Sequence, residues 1–64
     1  MAPHQERVVA EQEDLQEKAN KLSDFITTDI FKSLDVAEQE RLRRQQGHMW
    51  AYHNVLVERI ANFS

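Results

Sequence analysis

The chain has 64 residues, among them one glycine, one proline and no cysteine, with 8 basic and 11 acidic side chains. Its hydrophobic fraction of 41% is too high for a disordered chain. No apolar run approaches the roughly 18 residues that a membrane-spanning helix needs. The lack of cysteine excludes disulfides and thiolate metal sites as supports for a small fold. We therefore expect one small, charged, soluble domain.

The N-terminal residues do not have the basic and then apolar order of a secretory signal, so we expect the protein in the cytoplasm. A chain this short buries little apolar surface by itself, and it has no cysteine with which to cross-link. We therefore expect copies of the chain to associate.

The first predicted element is a helix over about residues 4–27. Pro3 stands where a helix can begin, and helix-forming residues follow it. The apolar residues form one stripe, because they recur at intervals of seven and four residues. They are Val8, Leu15, Ala19, Leu22 and Ile26.

A short corner is predicted over residues 28–34. Ile30, Phe31 and Leu34 are apolar enough to pack as a plug over the ends of the neighbouring helices. We expect this connection to be compact and partly helical.

The second predicted helix covers about residues 36–63. Asp35 is placed to accept a hydrogen bond from the amide of Glu38, and the Glu38 carboxylate to reach back to the Asp35 amide, as in a capping box. Apolar residues again recur every seven positions, which predicts a stripe facing the first helix. They are Leu42, Met49, Leu56 and Phe63.

These elements predict an all-α fold, an antiparallel two-helix hairpin with a short helical corner, in which residues 1–64 form a single domain. Trp50 and Val57 form a second apolar row on helix two, and Val9 is similarly displaced on helix one. One hairpin has no room for both rows, so we expect a homo-oligomeric helical bundle. The predicted oligomer interface comprises Val9, Trp50, Val57 and Phe63.

Three polar residues of helix two, Gln45, Tyr52 and Arg59, recur every seven positions beside the apolar stripe. One interpretation is that they flank a coiled-coil-like seam. The other is a recognition strip, since an amide, a phenol and a guanidinium together suit a flat anionic ligand.

Basic residues cluster in the first turns of helix two, at Arg41, Arg43 and Arg44, although the chain carries a net charge of -3. They are consistent with a solvated face in which Arg44 pairs with Glu40, or with a phosphate contact site. The 11 acidic residues and the lack of a groove-reading motif argue against binding of long nucleic acid.

His48 and His53 are five residues apart and point to different sides of a helix, which makes a poor metal pair. No nucleophile, base and acid can be placed together on two helices. We therefore predict no catalytic residue, no metal site, no cofactor and no enzymatic activity.

The residue pattern resembles a family of very small phage and prophage proteins labelled as related to a crAss-like phage protein. The resemblance covers nearly the whole chain, and its more telling matches are Gln45, Tyr52, Arg59 and the corner from Phe31 to Leu34. The other matching positions are Arg7, Val8, Leu15, Lys18, Lys21, Leu22, Phe25, Ile26, Glu38, Gln39, Arg41, Leu42, Met49, Leu56, Ile60 and Phe63.

This resemblance implies phage origin, a host-cytoplasm setting and a role against host defence. The predicted architecture is similar to that of phage anti-defence sponges, which are helical oligomers that sequester cyclic nucleotides or cyclic ADP-ribose-type signals. The hypothesis is therefore a nucleotide sponge, in which pockets between copies contact the signal and no catalysis occurs. The candidate ligand-binding residues are Arg43, Arg44, Gln45, Tyr52, Arg59, Arg7 and Lys21.

A second hypothesis is an inhibitor or adaptor that blocks a host defence protein. Helix one carries a run of acidic residues, which would dock on a basic protein surface. They are Glu11, Glu13, Asp14 and Glu17.

Overall fold

The computed structural model describes residues 1–63, which form three helices and no strand. Helix α1 covers Pro3–Phe25, the short α2 covers Asp29–Ser33, and α3 covers Val36–Ala61. The all-helical prediction is confirmed within these residues. No helix among them combines the length and apolarity needed to cross a membrane.

Helices α1 and α3 pack against each other and run antiparallel. Gln12 in the middle of α1 meets His53 in the C-terminal half of α3, and Ser23 near the end of α1 meets Gln46 in the N-terminal half of α3. The chain is accordingly a narrow hairpin with extents of 47 × 14 × 13 Å. Within residues 1–63, the buried apolar residues are few: Val8, Ala19, Phe31 and Leu56.

Helix α1 begins at Pro3, whose missing amide hydrogen costs nothing in a first turn. The Gln5 side chain accepts a hydrogen bond from the Ala2 amide at 2.9 Å, which satisfies one amide at this end. The helix stops at Phe25, where the hydroxyl of Thr28 donates to the Phe25 carbonyl oxygen at 2.7 Å.

The corner is closed by hydrogen bonds from its polar residues. Thr28 Oγ1 accepts from the amide of Phe31 and begins α2. At the other end of α2, Gln39 Nε2 donates to the carbonyl oxygens of Lys32 and Leu34, at 3.2 and 2.8 Å. Backbone groups that a short helix leaves unpaired are thereby satisfied. No residue of the corner has a positive φ, so the chain reverses direction without a glycine.

Phe31 is the buried residue of this corner, as predicted. Its ring is 1% exposed and meets the ring of Phe25 edge to face, with centroids 6.1 Å apart. The prediction that Ile30 packs beside it is wrong, because Ile30 is 66% exposed. A single turn of helix directs neighbouring residues about 100° apart, so α2 presents only one of these two side chains to the hairpin.

Candidate functional site

The start of α3 is fixed by Asp35, and this places the arginines of its first turns. Asp35 Oδ1 accepts from the Glu38 amide at 2.8 Å, which confirms the predicted cap. The Glu38 carboxylate does not complete the expected box, because Glu38 Oε1 accepts from Arg41 Nε at 2.8 Å. This hydrogen bond, together with the charge of Glu38, raises the pKa of Arg41 above its usual value.

Arg43 is held against the aromatic corner. Its guanidinium carbon lies 5.1 Å from the centroid of the Phe31 ring, within the range of a cation–π contact. The Phe31 ring is buried beneath the guanidinium. The contact therefore restricts the conformation of the Arg43 side chain, which remains exposed on the surface.

An open depression of about 470 Å³ lies beside this contact, lined by Glu40, Arg43 and Arg44. The expected pairing of Glu40 with Arg44 is not among the ion pairs formed within residues 1–63. Those pairs are Asp14–Lys18, Glu17–Lys21, Asp29–Lys32 and Glu38–Arg41. The guanidinium of Arg44 is therefore available to an anion in the depression.

Gln45, Tyr52 and Arg59 lie along one exposed flank of α3. Because 14 residues separate Gln45 from Arg59, these two side chains start about 21 Å apart along the helix axis. Tyr52 is nine residues from Arg43, which places the two about 180° apart around the helix. A single chain thus does not gather the predicted ligand residues of α3 into one pocket.

The two candidate ligand residues of α1 lie apart from the depression and from each other. Arg7 is exposed near the open end of the hairpin, opposite the corner. Lys21 Nζ forms an ion pair with Glu17 Oε1 at 3.1 Å on the exposed surface of α1.

Trp50 takes part in a contact within the hairpin. Its indole Nε1 donates to Ser23 Oγ at 3.1 Å, and its ring meets His53 edge to face, with centroids 5.3 Å apart. Val9 and Phe63 are partly buried, whereas Val57 is exposed. That a second copy covers these residues stays a prediction.

Polar contacts between the helices involve Gln12, Ser23 and Gln46, which sequence analysis did not single out, and His53, which it considered only as a metal ligand. Gln12 Nε2 lies 2.8 Å from His53 Nε2, and Gln46 Nε2 donates to Ser23 Oγ at 2.8 Å. His53 is 9% exposed, and its Nδ1 atom has no hydrogen-bond partner in the described part of the chain. The sequence signal for the burial of His53 is its spacing: His53 lies four residues after Met49 and three before Leu56, which both belong to the apolar stripe.

Within residues 1–63, no group of three or more histidine, aspartate or glutamate side chains is arranged to hold a metal ion.

The candidate ligand residues of α3 lie in two separate regions of the surface. One is the arginine-lined depression near the corner, and the other is the exposed flank of α3 that carries Tyr52.

A family model described as Sequestin matches residues 2–62, which is nearly the whole chain. No curated protein and no solved structure matches the chain. The family name suggests sequestration, a binding role that needs no catalysis.

Proposed function

The chain belongs to the Sequestin family, and we propose that it captures a small anionic nucleotide signal and holds it without converting it. Capture by mass action needs tight binding and no reacting group. The setting we propose is the cytoplasm of a phage-infected host, where removal of a nucleotide immune signal would protect the phage. Cyclic nucleotides and ADP-ribose derivatives are the candidate ligands.

The observation that carries this proposal is the depression lined by Glu40, Arg43 and Arg44. A guanidinium binds phosphate through two parallel hydrogen bonds, and two adjacent guanidinium groups suit a diphosphate or a cyclic phosphodiester. Arg43 is already oriented by the Phe31 ring, which reduces the entropy lost when a ligand binds. Glu40 supplies an acceptor for a ribose hydroxyl or a base amino group.

We propose that several copies act together. The depression is open, and the other candidate ligand residues of α3 lie on a different side of the helix from Arg43. Self-association would bring such separated groups to a common junction and would exclude water from the bound ligand.

The alternative function, a protein inhibitor that docks through the acidic residues of α1, has less support. Asp14 and Glu17 are paired with Lys18 and Lys21, at 3.0 and 3.1 Å. These lysines neutralise half of the acidic run and weaken its attraction for a basic protein surface.

The test is a thermal-denaturation panel of cyclic dinucleotides, cyclic trinucleotides and ADP-ribose derivatives. At a free ligand concentration of about 100 Kd, binding adds about 2.7 kcal/mol, which raises the Tm of a chain this size by roughly 10–20 °C. Chromatography of the heat-released ligand should return it unchanged. A panel without any shift would overturn the proposal, and a converted ligand would overturn its non-catalytic part.

Arg44→Gln is the informative variant, because it removes a guanidinium from the depression without altering the Phe31 contact. We expect it to abolish most of the shift. Lys18→Gln is the matched control, since it also removes one exposed positive charge and lies on α1 away from the depression. It should retain the full shift.

A further inference from the structure

The two flanks of the hairpin differ in how their polar groups are satisfied. On one flank, Ser23 accepts from Gln46 and Trp50, and Gln12 meets His53. On the opposite flank, no side-chain hydrogen bond or ion pair joins α1 to α3 within residues 1–63. The polar side chains of α3 on that second flank, Gln45, His48, Tyr52 and Arg59 among them, are exposed.

The second flank carries a regular series of exposed side chains on α3. Successive members are three and four residues apart, the 3.5-residue period of helices that wind around each other. Tyr52 and Val55 at its middle are 46% and 50% exposed. We call this series the Tyr52 stripe, and it consists of Gln45, His48, Tyr52, Val55, Arg59 and Asn62.

We propose that the Tyr52 stripe binds the same stripe of a second copy, with the two α3 helices antiparallel about a twofold axis. This surface replaces the interface around Trp50 and Val57 that the sequence predicts, because Trp50 is already engaged by Ser23 and His53 within the hairpin. In that arrangement Tyr52 of each copy packs on Val55 of the other. This inference relies on the self-association included in the proposed function, and not on the identity of the captured ligand.

The surface area of the hairpin supports a second copy of the chain as the partner that covers the Tyr52 stripe. A compact folded chain of 7.6 kDa is expected to expose about 4,300 Å². This hairpin exposes 4767 Å², which is more than a compact chain would, so it retains surface that a second copy could cover. The stripe from Gln45 to Asn62 is about 26 Å long, which is enough for a helix-to-helix seam of several turns.

The order of residues in the stripe selects the antiparallel register. With Tyr52 on Val55, every position has a partner: His48 faces Arg59, and Gln45 faces Asn62 through two amides. A parallel pair would set Arg59 against Arg59. The next antiparallel register, with Tyr52 on His48, would set Arg41 against Arg59. Like charges directly opposite each other destabilise both of these alternatives.

The second copy also completes a second candidate ligand site, on the side of α3 opposite Arg43. In one chain Gln45 and Arg59 are about 21 Å apart along the axis. In the proposed pair, Arg59 of one copy lies opposite His48 of the other, between Gln45 and Tyr52. An amide, a phenol and a guanidinium then stand together at each end of the seam, which neither copy achieves alone.

The experiment is sedimentation equilibrium of the wild-type chain and two valine variants at tens of micromolar. Val55→Arg buries a charge in the proposed seam, whereas Val57→Arg places the same charge on the opposite flank. Both valines are exposed in the single hairpin, at 50% and 44%, so both variants should keep their helical circular dichroism. We expect assembly for wild type and Val57→Arg, and the 7.6 kDa chain mass for Val55→Arg.

A monomeric wild type, or an assembly that Val55→Arg leaves intact, would overturn the inference. Dissociation by Val57→Arg instead would also overturn it and place the contact on the Trp50 flank. The nucleotide panel, run on the same samples, separates the two proposals. Wild type that assembles without any nucleotide shift removes the proposed function and leaves this inference standing.

The register has its own test in His48→Glu. A carboxylate at this position faces Arg59 of the other copy in the proposed pair, so the dimer Kd should fall by about three- to fivefold for two such ion pairs. In a parallel pair the two new carboxylates would face each other. A weaker dimer would therefore overturn the antiparallel arrangement.

Discussion

Phe31 is 1% exposed at the corner and meets Phe25 edge to face, whereas the contact between the long helices combines buried Ala19 and Leu56 with polar Gln12 and Ser23. Apolar burial gives the corner its stability, because each large side chain there is removed from water. Hydrogen bonds between specific partners give the long helices their register, because a shift of one residue leaves the donors unsatisfied. The comparison predicts a large loss of stability when Phe31 is removed from the corner, and a smaller loss when a single polar contact between the helices is removed.

The largest expected effect is that of Phe31→Ala. Removal of a fully buried phenylalanine costs about 3–5 kcal/mol, a large fraction of the stability of a small chain. Urea unfolding followed by circular dichroism, at one fixed protein concentration, measures this loss. Ile30→Ala is the control, since Ile30 is the exposed neighbour and should change stability by less than about 0.5 kcal/mol. Equal losses would contradict the assignment of Phe31 as the corner's core.

Ser23→Ala tests the contact between the helices. It removes the acceptor of both Gln46 Nε2 and Trp50 Nε1, and we expect a loss of about 1–2 kcal/mol. The fluorescence maximum of Trp50 should shift as its indole loses this partner. Asn20→Ala, on the exposed side of the same helix, should neither destabilise the chain nor move the fluorescence. An unchanged spectrum for Ser23→Ala would show that the indole bonds elsewhere.

Asp35→Ala tests how much the helix cap contributes to stability at the boundary between the corner and α3. The mutation leaves the Glu38 amide without its cap, which costs about 1 kcal/mol. The measurement is again urea unfolding. Asp24→Ala, which removes an exposed aspartate from α1, should have little effect. A similar loss from both variants would indicate a charge effect in place of a cap.

The smallest expected effect is a gain from Gly47→Ala. A methyl group at this position meets no atom within 4 Å, and the residue has an ordinary helical backbone. The substitution should stabilise α3 by about 0.5–1 kcal/mol in the same unfolding experiment. A loss of stability would reveal that another copy covers this outward face of the helix.

Much of the fold follows from local signals in the sequence. The start of α3 is set by Asp35, and the buried corner residue Phe31 is apolar in a short polar connection. The predicted helix bounds differ from those of the structure by one or two residues, because Thr27 and Phe63 lie beyond the last regular turns. Such signals act within a few residues and need no knowledge of the partner helix.

The contacts between helices could not be predicted in the same way. Whether Ser23 meets Gln46 and Trp50 depends on the rotation of both helices about their axes, and an apolar stripe defines that rotation only coarsely. The candidate ligand residues show the same limit. A seven-residue period places Gln45, Tyr52 and Arg59 in one row, but it does not bring them within reach of one ligand.

The shape of the single hairpin, 47 × 14 × 13 Å, has a consequence for its motion in solution, which the Val55→Arg variant, expected to stay a single chain, would show. A rod with these proportions rotates about its long axis faster than end over end. Backbone N–H bonds in α1 and α3 lie nearly parallel to that axis, so their nitrogen-15 relaxation senses chiefly the slow rotation. Amides in the corner that point across the axis sense the fast one, and relaxation rates should therefore vary with bond orientation along the chain even where the backbone is equally rigid.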